Sequence, residues 1–96
     1  MRRMAVITAL REMADCIGLA SSGSEWYLFG SIARDVAHPS DIDLMVLCVD
    51  DAQADTLRKA IDPDALALPI HLCLLRFDEA DEVDAIAVQR AEKIFP

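Results

Sequence analysis

The stretch from Trp26 to Val49, WYLFGSIARDVAHPSDIDLMVLCV, leaves this chain few ways to fold. It predicts a strand, a Gly-Ser turn, a short helix, a loop and a second strand. Trp26 to Phe29 are all apolar or aromatic, as a buried strand requires. The run stops at Gly30, where a residue without a Cβ lets the backbone turn sharply and approach a ligand closely. Ser31 is placed to cap a short helix reaching about Val36, and a helix start presents unpaired N–H groups on which a phosphate can rest. Asp41 and Asp43 then open a strand that runs to Val49. Period-two alternation puts both carboxylates on one face. Two neighbouring carboxylates repel each other unless a cation neutralises them, and Mg²⁺ binds one or two carboxylates together with substrate phosphates. A phosphate cradle beside a carboxylate pair suggests metal-assisted phosphoryl or nucleotidyl transfer.

The rest of the chain supplies a small α/β frame for these two strands. Val6, Leu10, Met13 and Ile17 recur at spacings of four, three and four, one apolar helical stripe over residues 3–17 that Gly18 ends. The basic, apolar start resembles a leader peptide, but Arg11, Glu12 and Asp15 interrupt any apolar run, so a helix is expected there rather than an address. Ser21 to Ser24 form a loop into the first strand. Asp50 or Asp51 caps a helix with Ala54, Leu57 and Ile61 inward and Pro63 beyond its end, a crossover to the next strand. That strand, Leu68 to Leu75, carries His71, Cys73 and Leu75 on one face. Asp78 to Glu82 begin a last helix with Val83, Ile86, Ala87 and the stem of Arg90 turned inward. Its acids suit the positive end of the helix dipole. Lys93 to Phe95 add a short edge strand.

Composition narrows the function. At 96 residues the chain predicts a single domain spanning 1–96, too short to hold catalytic and template-binding domains together. Seventeen acidic residues against nine Lys and Arg give a net charge of −8, the wrong sign for neutralising nucleic-acid phosphates. Nucleic acid is therefore not an expected partner. No segment approaches the roughly 18 apolar residues of a membrane span, so no membrane association is expected. Three cysteines without Cys-x-x-Cys spacing argue for a reducing, cytoplasmic setting over zinc or a disulfide framework.

The run Leu28-Phe29-Gly30-Ser31-Ile32-Ala33-Arg34, followed after a loop by Asp41-Ile42-Asp43-Leu44, resembles the minimal nucleotidyltransferases of the DNA polymerase beta superfamily. The resemblance covers nearly the whole chain, with the loop one residue shorter than is usual there. It implies a polymerase-beta-like fold: a small mixed sheet with helices on one face and a cleft on the other, near Met45, Leu47, Cys73 and Leu75. It also implies Mg²⁺ on Asp41 and Asp43, with Mg-ATP as substrate and Gly30, Ser31, Arg34 and Ser40 as nucleotide contacts. Arg34 would reach the triphosphate or pair with Asp35 or Asp41. The family's third carboxylate falls at His71. A neutral imidazole there is a candidate base, a poorer Mg²⁺ ligand than an oxygen donor, and also open to a purely structural role in the core.

Two functions follow from the resemblance. One is transfer of AMP to a hydroxyl of a protein or small molecule, with the chain as the antitoxin of a HEPN-type toxin or acting on another helical partner. The other is a catalytically degenerate module whose open face binds a partner protein or a second copy as a homodimer. The direction of the His71 side chain separates them: toward the aspartates favours chemistry, into packed core favours scaffolding.

Overall fold

Alternation along Trp26–Leu28 and Leu44–Cys48 decides the layering, because it feeds apolar side chains to both faces of a sheet. A computed structural model describes residues 2–34 and 36–96 of the chain. Its order is α1 (Arg3–Ile17), a 3₁₀ turn at Gly18–Ser21, β1 (Glu25–Phe29), α2 (Gly30–Ala33), β2 (Ile42–Cys48), α3 (Asp51–Ala60), β3 (Ile70–Arg76), α4 (Phe77–Glu82), α5 (Ala85–Gln89) and β4 (Glu92–Phe95). The strands lie in the order β3-β2-β1-β4. β1 pairs antiparallel with both β2 and β4, and β2 pairs parallel with β3. Parallel neighbours need a crossover, and α3 supplies it.

The main core lies on one face. Val6, Ile7, Leu10 and Ala14 of α1 and Leu57 of α3 pack there against Trp26, Leu28, Leu44, Val46 and Cys48. Gly18 ends α1 with φ +68°, as the pattern predicts. The Ser21–Ser24 loop is buried at both ends, and its hydroxyls are used: Ser24 Oγ donates to the Ser21 carbonyl at 2.6 Å and accepts from Trp26 Nε1 at 3.1 Å. This loop sets the start of β1. Asp50 caps α3 by accepting from the Gln53 N–H at 2.8 Å. Gln53 in turn accepts from the Val49 N–H at 2.8 Å and donates to the Ser22 carbonyl at 2.8 Å, tying the end of β2 to the loop before β1.

The second face differs from expectation. Met45 and Leu47 are each only 2% exposed, because α4 and α5 fold over them and bury Ala80 and Ala85 beside Tyr27. The last helix is not continuous. Asp84 takes a left-handed conformation (φ 52°) and separates α4 from α5. Residues 83, 86 and 87 then no longer share one helical stripe. Val83 is 61% exposed and Ala87 is exposed, while Arg90, also left-handed, ends α5 in solvent. The helices therefore cover the end of this face near Leu47, leaving the end near Asp43 open to ligands. No helix among the described residues is long and apolar enough to cross a membrane.

Candidate functional site

Strand register builds the open end of that face. Phe29 pairs with Asp43 across β1–β2, and Asp43 pairs with His71 across β2–β3. Asp41 precedes β2 rather than opening it. The neighbouring Ile42 is anchored by its N–H donating to the Pro69 carbonyl at 2.9 Å, so the segment before β2 runs alongside the residue before β3. With side chains two apart on one face, Asp41 and Asp43 point the same way. His71 Nδ1 lies 3.4 Å from Asp41 Oδ2 and 3.5 Å from Asp43 Oδ1. The imidazole is 63% exposed, against 26% and 25% for the two aspartates. It sits on the carboxylates and not in the core, so the structural reading of His71 as a buried core residue is set aside.

Gly30 closes the site from β1. Its φ is +75°, and a Cβ there would strike the Asp43 carboxylate, with Cγ 3.0 Å and Cβ 3.2 Å away. The freedom of Gly30 is spent on letting the Asp43 carboxylate lie against the backbone. Ser31 is not the helix cap: Phe29 holds that position, α2 is four residues long, and Ser31 is half-buried in its first turn. Among the described residues its hydroxyl has no hydrogen-bond partner, while its carbonyl accepts from the Val36 N–H at 3.2 Å and holds the loop back toward the strand. So short a helix has little macrodipole, and among the described residues no side chain caps its first-turn N–H groups, which are what it offers an anion.

Arg34 follows α2, is exposed, and forms no ion pair with Asp41 among the described residues. Its other expected partner, Asp35, lies outside the described residues, and the helix expected to reach about Val36 ends at Ala33, with Arg34 as its C-cap and Val36 outside it. Ser40 is exposed immediately before Asp41. The structure thus brings Gly30, Asp41, Asp43 and His71 together, and leaves Arg34 and Ser40 on the exposed loop that links α2 to β2.

The electrostatics suit a cation. Burial pushes the Asp43 carboxyl above the usual carboxylate range, and the nearby Asp41 charge adds to the effect, while His71 opposes it. Asp41, Asp43 and His71 each offer one ligand atom, all within 4.8 Å of one another. Two carboxylate oxygens and an imidazole nitrogen are a donor set that fits a divalent ion. Catalytic-type metal sites leave coordination positions for substrate, and three protein donors at an open edge do so. A cavity of about 390 Å³ lies elsewhere, at the Leu47 end of the same face between Glu25, Phe77 and Asp81, and contains none of these residues.

The acidic groups of α4 serve the helix and its neighbours, as expected. Glu79 accepts from the Arg76 N–H at 2.9 Å, and the Arg76 guanidinium reaches Asp78 at 3.0 Å and Asp51 at 3.1 Å. The contact missed in the sequence is the one between Gly30 and Asp43. A glycine ending one apolar strand and an aspartate near the start of its hairpin partner were signals of it, but only the register joins them.

No curated protein and no solved structure matches the chain. The family model for the nucleotidyltransferase domain matches residues 6–94, from the first buried turn of α1 to the buried Ile94 of β4. That span takes in every residue of the site. With Gly30, Asp41, Asp43 and His71 at one corner of the sheet and the match running nearly end to end, the chain belongs to the nucleotidyltransferase-domain family.

Proposed function

We propose that this protein transfers a nucleoside monophosphate, AMP from ATP, to a hydroxyl of a protein or small molecule. The observation that carries the reading is the convergence of Asp41, Asp43 and His71 within 4.8 Å, directly beside the Gly30-Ser31 turn. In such a transfer the acceptor oxygen forms a bond to the α-phosphorus, the bond to the pyrophosphate oxygen breaks so that pyrophosphate leaves, and the acceptor's proton passes to solvent water. A divalent ion, Mg²⁺ being the usual companion of ATP, would neutralise charge on the phosphates and lower the pKa of the attacking hydroxyl. Asp41 and Asp43 would hold that ion, with His71 closing the triangle from β3. The Gly30-Ser31 backbone would donate to the β- and γ-phosphate oxygens, with the Ser31 hydroxyl beside it. Arg34 and Ser40, on the exposed loop, would close over the triphosphate.

Net charge of −8 speaks against a polymeric nucleic acid as acceptor, because each phosphate approaching would meet acidic surface. The resemblance to minimal nucleotidyltransferases extends the proposal to a hydroxyl on a HEPN-type toxin or similar helical partner. The degenerate-module reading needs a broad open face, and α4 and α5 cover much of that face at Met45 and Leu47.

Calorimetric titration of ATP, with and without a divalent ion, tests the proposal. Binding that depends on the ion and weakens at least about tenfold in Asp43→Asn is the expected result. Equal ATP affinity in that variant would sink it.

A further inference from the structure

We infer that His71 is a metal ligand through Nδ1, and that it shifts the ion preference of this site from Mg²⁺ toward Mn²⁺. The inference deepens the function proposed above and rests on that reading for the use to which the ion is put, while its test does not depend on nucleotide.

Geometry is the first support. An ion about 2.1 Å from each of its donors separates neighbouring donors by about 3.0 Å at an octahedral edge and about 3.4 Å at a tetrahedral one. The Nδ1 separations of 3.4 Å and 3.5 Å from the two carboxylate oxygens lie about 0.5 Å beyond the octahedral edge, and the three donor atoms lie within 4.8 Å of one another, so an inward movement of these side chains completes a shared coordination shell. Direction is the second support. The ring is 63% exposed, so core packing does not force its orientation, and it nevertheless faces the aspartates across the Asp43–His71 register pair.

The chemistry of the donors then decides the ion. Mg²⁺ takes oxygen ligands and gives up its water reluctantly, so a nitrogen in its shell is a poor exchange. Imidazole suits first-row transition ions better than it suits Mg²⁺; Mn²⁺ is the weakest imidazole binder among them, but it shares with Mg²⁺ the preference for carboxylate oxygens that the other two ligands supply. Two carboxylates with one imidazole, beside a phosphate-binding turn, match that combination. A lone pair on Nδ1 that binds the ion is unavailable to a proton, so this nitrogen is not the base for the acceptor hydroxyl.

The test titrates Mn²⁺ alone into the whole protein, followed by electron paramagnetic resonance, and then displaces it with Mg²⁺. Wild type, His71→Asp and His71→Gln are compared, with circular dichroism confirming that each is folded. The expected result is that the ratio of Mg²⁺ to Mn²⁺ dissociation constants falls at least about tenfold in His71→Asp. Spin-echo modulation from a directly bound imidazole nitrogen should appear in the wild type and vanish in His71→Gln. An unchanged ratio, an absent nitrogen signal, or no Mn²⁺ binding by the wild type overturns the inference. ATP binding that still depends on Asp43 in the presence of Mg²⁺ would, in any of those cases, leave the nucleotidyl-transfer proposal standing. Loss of that ATP dependence with the Mn²⁺ preference intact would overturn the proposal alone.

Discussion

Asp43 holds its charge at a cost to the fold. Its carboxyl is pushed up by burial first and by Asp41 second, which means that the ionised form is less welcome in the native state than in the unfolded chain. The penalty is absent below the unfolded pKa of about 4 and complete above the native one. Asp43→Asn is therefore expected to raise the melting temperature at neutral pH in the absence of divalent ions, with the gain fading as the pH falls toward the unfolded carboxylate pKa. Thermal denaturation of both proteins across that range, in chelator, checks the sign. The same substitution should cost nucleotide binding, which is the trade expected where a site stores like charges for later neutralisation. That Asp41 and Asp43 share one face was legible from period-two alternation alone. His71 was legible only by resemblance, because nothing in Leu68–Leu75 distinguishes a ligand from a core histidine until β3 is laid parallel to β2.

Among the elements, α3 shows how local chemistry carries long-range order. Asp50 caps it, Arg58 and Lys59 suit its negative end, and Gln53 bridges its first turn to Val49 and Ser22. Asp50→Ala is expected to lower stability by about 1 kcal/mol, the usual worth of an N-cap, read from urea unfolding monitored by Trp26 fluorescence. These helix signals were visible in the sequence because capping and periodicity are written in neighbouring residues. The break between α4 and α5 was not visible. Nothing marks Asp84 as left-handed except the fit of Ala80 and Ala85 onto Tyr27, Met45 and Leu47, a tertiary gain that overrides a continuous helical pattern. With that break unseen, the face near Leu47 reads as open when it is covered.

Across the whole molecule, the sheet is anchored differently at its two ends. The site end is open and acidic, while the far end is closed by α4 and α5 and by a polar link on β1 and β4: Tyr27 donates its hydroxyl to Glu25 at 2.8 Å, and Lys93 donates to the same carboxylate at 3.2 Å. Tyr27 is the one tyrosine of the chain, so its ionisation can be followed directly by ultraviolet absorbance. Burial first, and the Glu25 carboxylate second, push its phenol up to about 12. Because the native value lies above the unfolded one, this contribution to stability is fully present below about pH 10 and is lost as the pH rises toward the native value. The absorbance midpoint is expected well above 10, and Glu25→Gln should bring it down. A midpoint at the ordinary value in the folded protein would contradict the closed far end.

The contact of Gly30 with Asp43 also sets an order in which this site can be lost by descent. A side chain at position 30 meets the carboxylate at once, so the glycine cannot change first without displacing Asp43. Once Asp43 has been replaced by a smaller residue the collision with the carboxylate is gone and only a tight 3.2 Å approach to its Cβ remains, and the positive φ would still admit asparagine. A lineage drifting away from catalysis would therefore shed its aspartate before its glycine, and a chain that retains the glycine without the aspartate would be read as recently retired.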